Sequence, residues 1–535
     1  MNDKVRPLLL FSIVIVLVLI PKFTFAANDI HDSFSYSNSA LAQTAINEEN
    51  IEFYPYENEV NTINRHANGW SIRWVVTSMI SSISLVTGLS PRDLQSLPIC
   101  TFGILILAYL VAMKLTKDWR LSTFYMVIIA FDPTVNSLTN STYIQGWGFL
   151  FFYMLIYLAM IIVERKYYLA LFKEREDYRP FALFGSLAVC SLVMMYFSYY
   201  SALIYAVILL VVVAGGKMFM GPTRQIDRRH ITIFIAALAA IFVVLYFVEE
   251  TVRFAISNFQ DFLETSYDYV ITAISTAGPR FYVGLASYIL MGIPLVFLGY
   301  KWLRAMRRNK AFPTLNWKDL FIIGFIITGI LNLAIYTGLG LVDLKYIIMF
   351  FSLAALYSIV RLKPSDIKNF NLSKLRSIPK KQAFAAVLAF LFLFKFITYI
   401  GPIIDDNTTQ DSIGLDWISY IGLDADSASI SDLRLSGEIM LYHTEQGHEE
   451  FNSYVYSAYY LTNLENMNAT NYYELNEEMD YIILTGANEE GTFNVGNWDS
   501  WSTDADVMAM LGNYTFIHKV YISNDISVWR VMVNL

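Results

Sequence analysis

The chain has 535 residues, of which 56% are hydrophobic and only 16% are charged. Soluble globular domains are about 45–50% apolar and about a quarter charged, so this composition excludes an ordinary soluble domain and indicates a polytopic membrane protein. The two cysteines, Cys100 and Cys190, both lie in apolar segments, which excludes a disulfide framework. No zinc-ligand spacing is present either.

The net charge of −8 conceals two regions of opposite sign. From Gly401 to the end, 22 acidic residues face three basic ones, which leaves −19 for the tail and +11 for the rest of the chain. An acidic tail and a basic membrane region indicate that the two regions lie in different compartments.

The first apolar run extends from Leu8 to Phe25 and follows two basic residues. It is either an uncleaved anchor or a cleavable signal peptide, and the later topology is the same in both cases. Further apolar segments occupy residues 98–113, 121–136, 147–163, 181–197, 200–214, 231–248, 283–300, 320–338, 344–360 and 383–400. Segments of this kind predict transmembrane helices, about eleven in all.

The distribution of lysine and arginine sets the orientation of these helices. With the N-terminus inside, 27 of the 38 basic residues fall in inner segments, whereas a shift by one helix would place most of them outside. The positive-inside rule therefore predicts an N-inside, C-outside protein of the cell membrane. For the same reason we expect the apolar stretch 70–89 to lie along the outer surface as one or two amphipathic helices.

This topology divides the chain into two predicted domains. Residues 1–402 form a transmembrane domain with long outer-face loops at 26–97 and 249–280, and the second loop has the apolar spacing of an interfacial helix. Residues 403–535 form a small extracytoplasmic α/β domain. Within it, strands are predicted at Tyr481–Thr485 and Ile526–Trp529, and a helix at 428–435.

Three short patterns occur in the first part of the chain. The residues HDSFSY, from His31 to Tyr36, follow the first apolar run; the turn VTGLSPR, from Val86 to Arg92, ends the surface segment; and an apolar span from Leu97 to Lys114 comes next. In this order they resemble the type-C membrane glycosyltransferases, the superfamily that includes protein O-mannosyltransferases, aminoarabinose transferases and oligosaccharyltransferases. The multi-span body and the outer C-terminal domain fit the same pattern.

The resemblance implies inverting transfer of a sugar from a polyprenyl-phosphate-linked donor to an acceptor on the outer face. Such a reaction requires a carboxylate that takes a proton from the acceptor as it attacks. It also requires a cation, either a divalent metal or a basic side chain, to stabilise the leaving phosphate.

Asp32 is the predicted general base, with Asp29 as the second choice, because both lie where the chain leaves the first apolar run. The competing interpretation is that both are ordinary solvated loop carboxylates. Asp132 precedes a proline at the outer end of the third span. By the resemblance it binds a metal or orients the acceptor, and otherwise it is a turn residue.

Three basic residues are candidates for binding the donor phosphate. Lys345 opens the tenth span at a place where relatives carry an arginine, and Arg280 ends the second outer loop. Lys395 lies within the last apolar span. Lysine binds phosphate as a point charge without the two-pronged geometry of arginine. Lys345 and Lys395 can instead be interfacial side chains whose ammonium groups snorkel to water.

The sequence thus predicts a membrane glycosyltransferase whose partners are a lipid-linked sugar donor and membrane lipid, with no nucleic acid. The alternatives are a non-catalytic surface protein or pseudoenzyme of the same fold, or a transporter of lipid-linked glycans. A transporter should show paired broken helices in two repeats, and the sequence shows no internal repeat. The sugar, the acceptor, the metal requirement and the oligomeric state are left open.

Overall fold

The structure is a computed structural model, which describes residues 33–47, 70–131, 144–168, 178–198, 200–219, 279–309, 316–337 and 344–361. It also describes parts of the tail between residues 418 and 531, and the isolated residues 12, 16, 387 and 390. The described part is mainly helical, with a small sheet near the C-terminus.

Three helices precede the main bundle, and eight form it within the described ranges. The first three are α1 (Ser33–Asn47), α2 (Trp70–Thr87) and α3 (Pro91–Ser96). The bundle contains α4 (Ile99–Thr116), α5 (Trp119–Phe131), α6 (Ile144–Glu164), α7 (Arg179–Tyr196), α8 (Tyr200–Phe219), α9 (Pro279–Asn309), α10 (Trp317–Thr337) and α11 (Leu344–Arg361).

Helices α4 to α11 coincide with eight of the apolar segments predicted to cross the membrane. In the described residues, the stretches Pro91–Thr116, Gln145–Glu164 and Arg179–Tyr196 are long and apolar enough to cross, by length and composition. The fold is therefore consistent with a membrane protein, and the number of eleven spans stays a prediction. The predicted spans at 231–248, and nearly all of 8–25 and 383–400, lie outside the described residues.

Two helices present apolar surface at the outside of the bundle. Helix α7 is only 11% buried, and large side chains on it are exposed, among them Leu183, Leu187, Val189 and Val193. Helix α9 exposes Ile289, Ile293 and Val296, which recur at the spacing of one helix face. Apolar faces of this extent are unfavourable in water, so they agree with hydrocarbon surroundings.

The centre of the bundle is a continuous apolar core. Helix α4 packs against α5 and α6, α6 also contacts α7 and α8, and α11 lies against α5, α9 and α10. The hydroxyls of the buried Tyr125 and Tyr153 are 2.7 Å apart, and that of Tyr125 donates to the Met349 carbonyl at 3.1 Å. These bonds join α5, α6 and α11 and satisfy two phenols that would otherwise be costly to bury.

Glycines allow α8 and α10 to approach each other closely. A Cβ on Gly324 would lie 2.5 Å from Leu209 Cδ1, and a Cβ on Gly216 would lie 2.5 Å from Leu320 Cδ2. Small residues at helix contacts are typical of membrane bundles, where close packing rather than the hydrophobic effect holds helices together. Asn332 adds a 2.8 Å hydrogen bond to the Tyr205 hydroxyl across the same contact.

The described part of the tail contains a four-stranded sheet of order β1-β2-β6-β5 and a separate pair, β3 (Thr492–Asn494) and β4 (Ser500–Ser502). The strands are β1 (Ser429–Ile430), β2 (Tyr481–Thr485), β5 (Ile517–Ile522) and β6 (Ile526–Val531). Both predicted strands are confirmed, and β2 and β6 pair antiparallel with each other.

The helix predicted over 428–435 is wrong at its beginning. Ser429 and Ile430 form β1, which pairs parallel with β2, because cross-strand pairing outweighs the weak local helix preference. Leu435, in contrast, is helical and joins the core of the tail with Ile439, Ile483 and Val528.

Candidate functional site at the capped end of the bundle

The bundle has two chemically different ends. At one end, Lys318 Nζ donates to the Leu115 carbonyl at 2.7 Å, and Lys117 Nζ lies 3.3 Å from Glu164 Oε1. The last turns of α4 and α6 and the first turn of α10 therefore meet there. We call it the basic end, after Lys114, Lys117, Lys318 and Arg361. The opposite end, where α4 begins after α3, is covered by α1–α3 and is called the capped end.

The turn at Gly88–Pro91 connects α2 to the bundle. Gly88 has a φ of +73°, a left-handed conformation that glycine adopts without a Cβ clash. Ser90 then caps α3: its hydroxyl accepts the Asp93 N–H at 3.1 Å, and the Asp93 carboxylate accepts the Ser90 N–H at 3.1 Å. This reciprocal capping box fixes the direction in which the chain enters α3 and α4.

Helix α1 packs onto this turn through serine hydroxyls. Ser39 Oγ donates to the Pro91 carbonyl at 3.4 Å, and Ser81 Oγ of α2 donates to the Ala42 carbonyl at 3.2 Å. Ala42, together with Ile80 of α2, belongs to the same apolar core as the bundle helices. The prediction of a helix at 70–89 is confirmed, and this helix is anchored on one side by protein contacts.

The tail contacts the same end. Arg92 Nε of α3 lies 3.4 Å from Glu445 Oε1, and Leu441 and Ala40 of α1 form a small buried apolar pair. Burial raises the pKa of the Glu445 carboxyl, the charge of Arg92 opposes that rise, and the charge of Asp93 adds to it. The described parts of the tail and of the first loop therefore lie at one end of the bundle.

The structure does not describe the four residues Asp29, Asp32, Asp132 and Lys395. Two neighbours in sequence are described: α1 begins at Ser33, directly after Asp32, and α5 ends at Phe131, directly before Asp132. Their roles as base and as metal or acceptor ligand therefore stay predictions.

Arg280 and Lys345 occupy equivalent positions in two neighbouring helices. Arg280 is the second residue of α9 and Lys345 is the second residue of α11. The two helices pack against each other, and near their other ends Lys301 Nζ donates to the Arg361 carbonyl at 3.2 Å. Both helices therefore run from the capped end to the basic end, which places the backbones of Arg280 and Lys345 at the capped end.

Sequence reasoning did not anticipate the contact between Arg92 and Glu445. Their separation in the chain gives no signal, because an ion pair between residues far apart in sequence leaves no periodic pattern. The capping box was detectable, since Ser90-Pro91 followed by Asp93 has the spacing of a helix start. A metal centre has no support in the described ranges, where no group of three His, Cys, Asp or Glu residues is close enough to hold an ion.

No protein-family model matches the chain, and no curated protein matches it. Among solved structures, it is similar to the Archaeoglobus fulgidus oligosaccharyltransferase, crystallised as a complex with Zn and sulfate. The two chains are 12% identical, with a TM-score of 0.48, over 89% of this chain and 68% of the other. A similarity of this size does not define the family of the chain.

Proposed function

We propose that this protein is an inverting membrane glycosyltransferase that uses a polyprenyl-phosphate-linked sugar at the capped end of its bundle. The observation that carries the proposal is the position of the helix termini. Helices α9 and α11 begin at this end with Arg280 and Lys345, while α1 begins beside Asp32 and α5 ends beside Asp132 in the sequence. The helix ends that carry the basic candidates, and the helix ends that adjoin the acidic candidates in the sequence, thus lie on one side of the bundle.

The chemistry suits a site at a helix end. A polyprenyl chain must stay in hydrocarbon while its phosphate stays wet, so the reacting bond has to lie at the membrane boundary. In the proposal, Asp32 takes the proton of the acceptor while the acceptor attacks the sugar, and the sugar–phosphate bond breaks on the opposite face. Asp29 is the second candidate for the base. Arg280, Lys345 and Lys395, or a divalent metal, stabilise the charge on the departing phosphate.

The apolar face of α9 supports a lipid donor. Ile289, Ile293 and Val296 are exposed on one face of the helix that begins with Arg280. A hydrocarbon chain can lie along such a face while the phosphate stays beside the first turn of the helix. The tail, held on α1 and α3, is positioned to bind or enclose the acceptor at the same end.

The test is sugar transfer by the full-length protein in liposomes that contain polyprenyl-phosphate sugars. We expect Asp32→Asn to lower transfer by about a thousandfold, within the range that general-base catalysis contributes. Asp118→Asn, which removes a carboxylate at the basic end, is the matched control and should retain full activity. Correct folding of both variants is checked by their thermal unfolding.

If the Asp32→Asn variant and the parent protein transfer sugar equally well, Asp32 is not the base. The same test is then applied to Asp29 and Asp132. Absence of transfer by the parent protein with every donor offered would contradict the proposal. That result would favour a pseudoenzyme, a surface protein or a transporter of lipid-linked glycans.

A further inference from the structure

The basic end contains more positive charge than its carboxylates balance. Glu164 pairs with Lys114 and with Lys117 through separate oxygens. Asp319 accepts from Arg361 at 3.0 Å and from the Tyr357 hydroxyl at 2.8 Å. The carboxylates there are therefore already engaged, while Lys318, which adjoins both groups, has no ion pair with any described residue.

The Lys318 ammonium group is held by a hydrogen bond and not by an ion pair with a described residue. Its Nζ donates to the Leu115 carbonyl at 2.7 Å, one of the carbonyls left without a helical partner at the end of α4. This bond uses one of three ammonium hydrogens and leaves two. The side chain is partly buried; Lys117 and Lys114 lie close enough to repel it, and Glu164 and Asp319 lie close enough to attract it. An additional anion at this position would relieve that repulsion.

Two tryptophans lie beside cations of the basic end. Lys318 Nζ lies 5.7 Å from the centre of the Trp317 ring, and Arg120 Cζ lies 5.4 Å from that of Trp119. Both indoles stand at the ends of apolar helices, where tryptophan is enriched at the level of lipid headgroups. This preference predicts that the cations lie at the depth of phospholipid phosphates.

We propose that Lys318 and Lys117, beside Trp317, bind the phosphate of an anionic phospholipid. Among the described residues in these contacts, Lys114, Lys117, Lys318 and Arg361 stand against Glu164 and Asp319, which leaves an excess of two positive charges. The Lys117 side chain is 55% exposed and accessible from the headgroup region. This site lies at the opposite end from the proposed transfer reaction and does not depend on it.

The test uses the full-length protein in a neutral detergent, with phosphatidylglycerol and phosphatidylcholine as probes. Native mass spectrometry counts the lipids retained, and titration gives the dissociation constant. We expect a preference for phosphatidylglycerol, which Lys318→Gln weakens about fivefold and Lys117→Gln/Lys318→Gln about twenty-fivefold, since each basic residue near an anionic lipid contributes about 1 kcal/mol. Lys318→Arg should retain the preference.

Lys519→Gln in the tail, which removes a lysine stacked on the Trp529 ring, is the matched control and should change nothing. Equal retention of both lipids by the parent protein would overturn the proposal. So would unchanged phosphatidylglycerol binding in the double variant, or a thermal shift that inorganic phosphate reproduces at the same concentration. If Lys318→Gln does not fold, Lys117→Gln and Lys318→Arg decide the question alone.

Discussion

The two ends of the helical bundle are stabilised in different ways. At the basic end, charged side chains on the bundle helices themselves make the contacts, as in the Asp319–Arg361 and Lys117–Glu164 pairs. At the capped end, the contacts come from segments outside the bundle, whose serine hydroxyls donate to backbone carbonyls. An ion pair there links α3 to the tail.

On this comparison the basic end is a scaffold, and the capped end is the surface at which the proposed reaction takes place. Ion pairs between the ends of bundle helices, such as the first turn of α10 and the last turn of α11, fix the helices relative to one another. The cap consists of separate helices that share the apolar core of the bundle, and the tail is joined to α3 by the partly exposed Arg92–Glu445 pair, a kind of contact that contributes little stability. The proposed transfer site lies at this end.

The largest effect is expected from Asp319→Ala at the basic end. Asp319 is fully buried and accepts from Tyr357, Arg361 and the Asn316 N–H. Its removal leaves these donors unpaired and should lower the free energy of unfolding by about 3 kcal/mol, the lower part of the range for a broken buried pair because Arg361 is partly exposed. Chemical unfolding in detergent measures the change.

Asp319→Asn is the control, because it retains an acceptor for Tyr357 and should lower the free energy of unfolding by clearly less than Asp319→Ala. A loss below about 0.5 kcal/mol for Asp319→Ala, the size of a neutral surface substitution, would contradict the role of the basic end as the scaffold.

A smaller, local effect is expected from Ser90→Ala at the capped end. The change removes one half of the capping box of α3 and should lower the free energy of unfolding by about 1 kcal/mol. Hydrogen exchange should become faster in α3 while exchange in α10 and α11 stays unchanged. Ser186→Ala on the exposed side of α7 is the matched control. Faster exchange spread evenly over both ends would show that the two ends are not independent.

The smallest effect concerns the docking of the tail. Arg92→Ala removes a partly exposed ion pair with Glu445 and should weaken docking by about 0.5 kcal/mol. The measurement is hydrogen-exchange protection of α3 and of the tail residues around Leu441. Lys519→Gln, remote from this contact, should have no effect on that protection.

Docking should also depend on pH. Because burial raises the pKa of Glu445, the docked state binds a proton more readily than the undocked state. Docking is therefore strengthened at pH values below the ordinary pKa of a glutamate and weakens as the pH rises through the raised pKa. Glu445→Gln should abolish this dependence. Protection that increases with pH in the parent protein would show that another group controls the contact.

Much of the fold could be predicted from local patterns. Eight apolar runs become the helices α4 to α11, and in the described residues three stretches are long and apolar enough to cross a membrane. The β-rich runs at 481–485 and 526–529 become paired strands. The stretch 70–89, which contains the helix Trp70–Thr87, was predicted to lie along the surface because a crossing there would have inverted the basic loops. Each of these predictions rests on composition within one segment or on a charge count, both of which are readable along the chain.

The arrangement of the candidate site could be predicted less well from such local patterns. Lys345 and Arg280 could be named individually, but only the packing of α9 against α11 shows that they begin neighbouring helices. The buried Asp319 was not expected, because an acidic residue at the start of an apolar helix looks like a solvated charge until its partner on α11 is known.

The sequence by itself indicated a membrane protein, the approximate positions of helices α4 to α11, and two strands of the tail, β2 and β6. These properties follow from hydrophobicity and periodicity, which act over a few residues to about twenty. Only the tertiary structure decided which helix ends meet, that the tail docks on α3, and that Asp319 is paired rather than exposed. Such contacts join residues far apart in the chain, and their energies depend on distance and burial, which no local pattern contains.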